Sequence, residues 1–239
     1  MLISINELVN DWNVNPESVL HVGAHEGEES TEYERHNWTP VIWIEAQPKL
    51  VQQLREKLNP VNHTVIEAAV FNVDDIELEF KISSNSQSSS LLNFGTHSRD
   101  YPEITFVEKL KVKTSRLDTI LESGNIPEFI NLDIQGVELP ALESLGDLIN
   151  KVRFIYTEVN RIGVYEGCSL IGEIDDFLNS HGFKKLTSRW HYLEGWGDAL
   201  YVRKEQKPQS IVQLLRSKFR LIMFYKPQYK SILRAFLKK

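Results

Sequence analysis

The sequence predicts an α/β fold, in which a mostly parallel β-sheet carries helices on both faces. Between residue 19 and about residue 181, short apolar segments rich in Val and Ile alternate with segments of helical periodicity. Strands that alternate with helices form βαβ units, whose strands are parallel and whose crossovers are right-handed. After Gly182, two strand-like segments follow without a helix between them, which predicts an antiparallel hairpin at one sheet edge.

Each element of this fold has its own sequence signal. Apolar runs with polar, Pro or Gly boundaries predict strands at residues 19–22, 41–45, 64–70, 129–134 and 152–159. Apolar residues at helical spacing predict helices at residues 48–58, 140–148 and 169–181, the last with Gly182 as C-cap. Ser4 and Glu7 have the spacing of a capping box, which predicts an N-terminal helix. Residues 76–114 read as an insertion, and its serine-rich loop, residues 83–90, as a lid or a surface loop.

The composition suits a single large domain with appendages. The chain has 239 residues, of which 41% are hydrophobic and 25% are charged, close to the averages for globular proteins. Its single cysteine, Cys168, excludes an internal disulfide framework. The first residues lack the pattern of a secretory signal, and no apolar run approaches the ~20 residues that cross a bilayer. We therefore expect a cytoplasmic protein.

The net charge of −6 conceals two parts of opposite charge. Residues 206–239 contain nine Lys or Arg and no acid, whereas the rest of the chain has 18 bases and 33 acids. This difference predicts two parts: a domain of residues 1–205 and a basic amphipathic helical tail of residues 206–239. Such a tail is typical of contact with the inner face of a membrane, of self-association or of docking on the acidic domain. Nucleic acid is not expected as a partner, because the acidic domain repels phosphates.

A bend with two glycines follows the first predicted strand, in the segment VLHVGAHEGEES of residues 19–30. In open parallel sheets, ligands bind beyond the carboxyl ends of the strands, where glycines let the backbone approach them. Glu45 ends the second strand, 22 residues after Gly23, where an acid accepts hydrogen bonds from ribose hydroxyls. Together these features predict a cofactor that contains a nucleoside.

The charge of the bend distinguishes between such cofactors. Glu26, Glu28 and Glu29 would repel a pyrophosphate at short range, whereas S-adenosylmethionine has cationic sulfonium and ammonium groups and no phosphate. The Gly-x-x-x-Gly spacing also differs from the Gly-x-Gly-x-x-Gly pattern of dinucleotide binders. Both observations disfavour NAD, although the same glutamates also suit the first turn of any helix.

Six motifs in order resemble those of the FkbM-type methyltransferases. They are HVGAHEGEES, WIEAQP, IEAAVFN, SSSLL, TSRLDTI with INLDIQGVELPALESL, and GDALYVRK. The resemblance covers roughly residues 18–204. It implies an S-adenosylmethionine-dependent O-methyltransferase with the class I, Rossmann-like fold, whose seven-stranded sheet has its last strand antiparallel.

The resemblance also implies site residues. Those assigned to the cofactor are Gly23, Ala24, His25, Gly27, Glu45, Ala46, Ala68, Ala69, Ser90 and Asp133. Asp133, Gly136 and Glu138 match the D-x-x-G-x-E motif of the family. His21 stands where family members often have Asp, which weakens any assignment of a cofactor contact to its side chain.

Two predicted strands end in acids that suit methyl transfer to a hydroxyl, a reaction that needs alignment and removal of a proton. These candidate catalytic residues, Asp133 and Glu158, could accept the proton or hold a divalent cation; we predict no metal site, because the sequence has no dense cluster of ligands. In the structural alternative, Asp133 caps the turn at Gly136 and Glu158 pairs with an Arg such as Arg161.

Aromatic residues between the last two predicted strands indicate a possible acceptor site, because such residues commonly stack on sugar rings. His191 and Trp196 are the candidate substrate-binding residues, and an aromatic cluster that only stabilises the hairpin is the alternative. Four other histidines, His36, His63, His97 and His181, are expected at the surface or in helix caps.

The sequence therefore predicts methyl transfer to a hydroxyl of a small molecule or glycan, such as a sugar in a polysaccharide. Two alternatives remain at this point. One is an NAD(P)-dependent oxidoreductase or epimerase on a Rossmann sheet. The other is a non-catalytic, cofactor-binding scaffold at a membrane.

Overall fold

The larger sheet of the protein has seven strands. A computed structural model describes residues 1–121, 126–191 and 194–204. The strand order is β3 (His63–Glu67), β2 (Val41–Glu45), β1 (Val19–Val22), β7 (Phe129–Leu132), β8 (Phe154–Asn160), β10 (Trp196–Arg203) and β9 (Phe183–Trp190). Strands β3 to β8 in this order are parallel, and β10 is antiparallel to both of its neighbours. The predicted fold class and edge hairpin are confirmed.

The strand order reverses between β1 and β7. The chain moves outward from β1 to β2 and β3, and then returns to β7 on the other side of β1. Because crossovers are right-handed, the helices of the two halves cover opposite faces of the sheet. Ligands bind at such a reversal point, beyond the carboxyl ends of the strands.

Seven α-helices connect or precede these strands in the described part of the chain. They are α1 (Ile5–Trp12), α2 (Ser30–Arg35), α3 (Pro48–Lys57), α4 (His97–Asp100), α5 (Leu117–Ile120), α6 (Glu138–Glu143) and α7 (Ile171–Ser180). Helix α1 begins with the predicted capping box, and residues 3–15 belong to a compact unit separate from the one that holds the sheets. No described helix has the length and apolar character to span a membrane. The predicted tail, residues 206–239, lies outside the described residues.

The third predicted strand is divided in the structure. Strand β3 ends at Glu67, and the Ala68 N–H donates to the Glu45 carbonyl over 3.0 Å. The chain then enters a second sheet of order β4 (Ala69–Val70), β6 (Phe106–Ser115) and β5 (Glu77–Ser83). Strand β5 and nearly all of β6 fall within residues 76–114, whereas β4 precedes them, and the serine-rich loop contains a 3-10 helix at Ser86–Ser88.

The predicted helix at residues 140–148 is also divided, into α6 and a 3-10 helix at Gly146–Lys151. Gly146 has a φ of +50°, a left-handed conformation that does not continue an α-helix. In α7, which begins two residues later than predicted, Ile174 and Leu178 are buried in the core, whereas Leu170 precedes the helix and is 38% exposed.

Two histidines expected at the surface are buried. The ring of His63 accepts a hydrogen bond from the Trp43 indole over 3.0 Å, and its other nitrogen lies 2.9 Å from the Glu34 carboxylate. His97 stacks on Phe94 with ring centroids 4.2 Å apart. Both expectations were wrong, because each imidazole has aromatic neighbours that cover its apolar faces.

Candidate functional site

A cavity of about 520 Å³ lies at the carboxyl ends of the parallel strands. Its walls come from the segments that follow β1, β2, β3, β7 and β8 and from the serine-rich loop of the insertion. Ten predicted site residues line it: Gly23, Ala24, His25, Glu45, Ala46, Ala68, Ala69, Asp133, Glu158 and Trp196. The other three predicted site residues, Gly27, Ser90 and His191, do not line the cavity.

The bend after β1 depends on its first glycine. Gly23 has a φ of +86°, and a Cβ atom at this position would lie 1.9 Å from the carbonyl oxygen of Asp133. No side chain is compatible with that approach. The N–H groups of Gly23 and Ala24 both donate to the Ile44 carbonyl, over 2.9 and 3.1 Å, which attaches the bend to β2.

Gly27 closes the other end of the bend. Its φ is +64°, and a Cβ atom would lie 2.8 Å from Cδ2 of Leu54 in α3. The residue therefore permits close packing against a helix, and it shapes the bend without lining the cavity.

The Glu45 carboxylate is turned toward the bend. It is buried at the end of β2, where Oε2 accepts the His25 N–H and Oε1 accepts the Gln47 N–H, each over 2.9 Å. Burial raises the pKa of Glu45, while these backbone donors act in the opposite direction. A carboxylate has about four lone-pair sites, so Glu45 can accept a further donor in the cavity.

The side chain of His25 connects the bend to the serine-rich loop. Its Nδ1 lies 2.7 Å from Oε1 of Glu28, and its Nε2 lies 2.7 Å from Oγ of Ser86. The hydrogen bond to Glu28 raises the pKa of His25. Burial alone would raise the pKa of Glu28, but the hydrogen bonds from His25 and other donors outweigh it and lower the value to about 2.

Acids from β7, β8 and β10 meet at the opposite wall. Asp133 follows β7 and is exposed, whereas Glu158 is buried within β8 and lies directly across from Asp198 of β10. Burial and then the charges of Asp133, Glu138 and Asp198 raise the pKa of Glu158 well above its usual range. Burial likewise raises the pKa of Asp198 to about 6.

The structural alternatives for these two acids are not seen. Arg161 lies over the ring of Trp190 at 3.7 Å and is not the partner of Glu158. The Gly136 N–H donates to the carboxylate of Glu138 over 3.0 Å, so Glu138 and not Asp133 caps that turn. Burial raises the pKa of Glu138 to about 7.

Gln135 joins the two candidate catalytic acids, a contact that sequence reasoning missed. Its Nε2 donates to Oδ1 of Asp133 over 2.5 Å and to Oε2 of Glu158 over 2.9 Å. Its Oε1 accepts the hydroxyl of Tyr165 over 2.6 Å. The only sequence signal was its position inside the D-x-x-G-x-E motif.

The remaining predicted residues support the lining from behind. Ser90 is fully buried and donates from Oγ to the Gln135 carbonyl over 2.7 Å. His191 stacks on Trp196, with ring centroids 4.7 Å apart, and its Nδ1 lies 2.6 Å from Glu194. Tyr192 lies outside the described residues. Among those described, no group of three or more His, Cys, Asp or Glu is arranged to hold a metal ion.

Comparison with known proteins identifies the family. Residues 21–185 match the methyltransferase FkbM domain, which is more than half of the chain. The chain belongs to the FkbM methyltransferase family. It is therefore an S-adenosylmethionine-dependent methyltransferase, and this replaces the oxidoreductase and scaffold alternatives.

One curated relative is the 2-O-methyltransferase NoeI of Sinorhizobium fredii (strain NBRC 101917 / NGR234). It is 23% identical over 172 residues, which cover 68% of this FkbM methyltransferase and 71% of NoeI.

Two solved structures are similar to this chain. The magnesium protoporphyrin IX methyltransferase of Synechocystis PCC 6803 with bound SAM has 13% identity and a TM-score of 0.47, covering 82% of this chain and 74% of that one. TrmK of M. capricolum, in complex with S-adenosyl-homocysteine, has 9% identity and a TM-score of 0.48, covering 100% of this chain and 88% of that one.

The residues around the bend fit the cofactor of the methyltransferase. The close approach at Gly23 leaves bare backbone beside the cavity, and Glu45 offers lone pairs where a ribose is expected. Glu28, Glu29 and Asp133 also line the cavity, and no Lys or Arg of the described residues does. This electrostatic environment favours a cationic sulfonium and ammonium and opposes a pyrophosphate.

Proposed function

We propose that this enzyme transfers a methyl group to a hydroxyl of an uncharged sugar, in a polysaccharide or a related glycan. The observation that carries the proposal is the pair of acids on the neighbouring strands β7 and β8, one directly after β7 and one near the carboxyl end of β8. Asp133 and Glu158 both contact the amide of Gln135, so a hydroxyl at this wall of the cavity would be within reach of both. The name of the relative NoeI, a 2-O-methyltransferase, agrees with a hydroxyl acceptor.

The two acids differ in their surroundings, which assigns them different roles. Burial, followed by the neighbouring carboxyl groups, raises the pKa of Glu158 well above its usual range and so favours its protonated form, whereas Asp133 is exposed. Asp133 is then the general base, and Glu158 orients the acceptor hydroxyl by hydrogen bonding.

S-adenosylmethionine supplies an activated methyl group, and the residues of the chain position it and the acceptor. Gly23, Ala24 and Glu45 would hold the nucleoside across the ends of β1 and β2. Ala46, Ala68 and Ala69 would line the adenine side. The Asp133 carboxylate would accept the hydroxyl proton of the acceptor, which the methyl group supplied by bound S-adenosylmethionine replaces.

The charge of the cavity supports an uncharged acceptor. Six carboxyl groups line it, of which buried Glu158 favours its protonated form, and no Lys or Arg of the described residues does. The six are Glu28, Glu29, Glu45, Asp133, Glu158 and Asp198. A phosphate or carboxylate on the acceptor would be repelled by this field. The aromatic residues Phe80, Tyr101, Tyr165 and Trp196 also line the cavity, and their side chains could pack against a sugar.

Transfer of labelled methyl groups tests the proposal. We would incubate the enzyme with S-adenosylmethionine labelled in the methyl group and with neutral oligosaccharides, each matched with its uronic acid or phosphorylated form. We expect the labelled methyl group on the neutral oligosaccharides, in a linkage that resists base as a methyl ether does. Asp133→Asn should lower the rate of transfer by a factor of ~10²–10⁴ while cofactor binding survives.

Asp147→Asn is the matched control, because Asp147 is exposed in the 3-10 helix at Gly146–Lys151. It should retain the wild-type rate. Wild-type turnover by Asp133→Asn would remove Asp133 as the base. A preference for the anionic member of each pair would contradict an uncharged acceptor.

A separate proposal concerns the basic segment, residues 206–239. We propose that its nine bases attach the enzyme to an anionic surface at the inner face of the membrane. Flotation with vesicles that contain or lack anionic lipid, for chains with and without residues 206–239, tests this. Flotation that needs both the segment and the anionic lipid supports it, and equal flotation or segment-dependent dimerisation contradicts it.

A further inference from the structure

Gln135 occupies a central position in the hydrogen-bond network of the site. Its backbone is left-handed, with a φ of +56°, which is uncommon for a residue other than glycine. The Ser90 hydroxyl holds its carbonyl from the insertion, and the neighbouring Gly136 N–H is held by Glu138. The residue is therefore fixed from both sides in a conformation that local sequence alone does not favour.

The contacts of the side chain determine how its amide is oriented. Tyr165 donates to Oε1, and the two acids accept from Nε2. In the flipped orientation, the amide oxygen would face the oxygens of both carboxyl groups, and the two hydrogen bonds that Nε2 donates to them would be lost. Burial and the charges of Glu158, Asp133 and Glu138 raise the pKa of Tyr165 well above 10, so its hydroxyl remains a donor.

The amide acts on a crowded set of acids. Asp133, Glu158, Glu138 and Asp198 come from the segments after β7 and from β8 and β10, and Tyr165 faces them from the loop after β8. A donor that bonds to an ionised carboxylate stabilises the charged form. A single amide shared by two carboxyl groups also fixes their separation.

Resting on the proposed function, we propose that Gln135 is a positioning residue for methyl transfer. Its amide, oriented by Tyr165, holds Asp133 and Glu158 at a fixed separation and stabilises the negative charge of the pair on the base. Gln135 itself need not touch the acceptor or exchange a proton.

The pH dependence of kcat/KM distinguishes this role from simple packing. Gln135→Met retains the length of the side chain and removes its donors. We expect the acid limb of the profile to move to higher pH by about one unit. At pH values on this limb, kcat/KM should then be about tenfold lower than in wild type, and it should recover at high pH. Tyr165→Phe should move the limb in the same direction by less. The KM for S-adenosylmethionine should stay unchanged.

Gln52→Met is the matched control. Gln52 lies on the exposed face of α3, where its Nε2 donates to Glu56 over 2.9 Å, and this substitution should leave the profile in place. Carboxyl ¹³C NMR titration without any acceptor gives a second readout, in which the higher apparent pKa of the acid pair should rise in Gln135→Met.

A uniform loss of kcat/KM at every pH, with an unchanged NMR titration, would overturn the proposal and leave Gln135 a packing residue. Where Gln135→Met does not fold, Tyr165→Phe decides the matter by the same two measurements. Wild-type turnover by Asp133→Asn is a different outcome, because it contradicts the proposed base and leaves the NMR result on Gln135 standing.

Discussion

Replacing Glu45 by Gln exchanges one acceptor oxygen at the end of β2 for a donor. In the structure, both carboxylate oxygens accept backbone N–H groups over 2.9 Å, one from His25 and one from Gln47. An amide accepts only one of these, and leaving a buried N–H unpaired costs about 1–3 kcal/mol. A ribose hydroxyl also loses a charged acceptor, and a hydrogen bond to a charged group contributes about 1.5–3 kcal/mol.

The effects on cofactor affinity and on stability should differ. About 1.4 kcal/mol corresponds to a factor of ten in the dissociation constant, so we expect S-adenosylmethionine to bind Glu45→Gln ~10–100-fold more weakly. The free energy of unfolding should change less, because the neutral amide relieves the burial of charge that raises the pKa of Glu45.

Titration calorimetry with S-adenosylmethionine measures the first effect, and urea denaturation measures the second. Glu67→Gln is the matched control, because Glu67 lies directly beside Glu45 at the end of β3 but is exposed and does not line the cavity. Equal, wild-type affinities for both variants would refute the assignment of Glu45 to the ribose.

Three further predictions concern the bend and the acid wall. Gly23→Ala should abolish measurable cofactor binding, because its Cβ would lie 1.9 Å from the carbonyl oxygen of Asp133. The left-handed backbone at this position costs a residue with a side chain a further ~1–2 kcal/mol. A calorimetric affinity near that of wild type would contradict this prediction. The His25–Glu28 pair should hold the serine-rich loop best between about pH 4.5 and 6.5. The pKa of His25 is raised, so its contribution to stability is lost as pH rises above 6.5. The pKa of Glu28 is lowered, so its contribution is lost as pH falls toward about 2. Hydrogen-exchange protection of residues 84–89 should follow this profile in wild type and not in His25→Gln, and identical profiles would count against the pair. Burial raises the pKa of Asp198 from 3.8 to about 6, so stability that is present below pH 3.8 should be lost as pH rises through 6, by up to about 3 kcal/mol. Urea denaturation at a series of pH values should show this loss in wild type and not in Asp198→Asn. The same dependence of unfolding free energy on pH in both proteins would contradict the prediction.

The elements that the sequence predicted well are those with local signals. Strands β1 and β2 have the predicted bounds, because a short apolar run between polar residues is sufficient to define a buried strand. The bend at Gly23 was predictable because a glycine directly follows the first strand. The position of Glu45 beside that bend was predictable because this acid ends the second strand.

Contacts between distant segments were not predictable in the same way. Gln135 meets Glu158 and Tyr165, 23 and 30 residues further along the chain, and no periodicity encodes such a meeting. The division of β3 from β4 likewise depends on a bond from Ala68 to the Glu45 carbonyl. His97 was expected at the surface or in a helix cap, but aromatic side chains that include Tyr165, from a distant segment, bury it.

A crystal structure of the enzyme with S-adenosylhomocysteine tests the central claim most directly. We expect both ribose hydroxyls near the Glu45 carboxylate, beside the bend at Gly23, and the sulfur directed at the wall formed by Asp133 and Glu158. A nucleoside bound at another part of the cavity, with Glu45 still bonded only to the N–H groups of His25 and Gln47, would contradict the account.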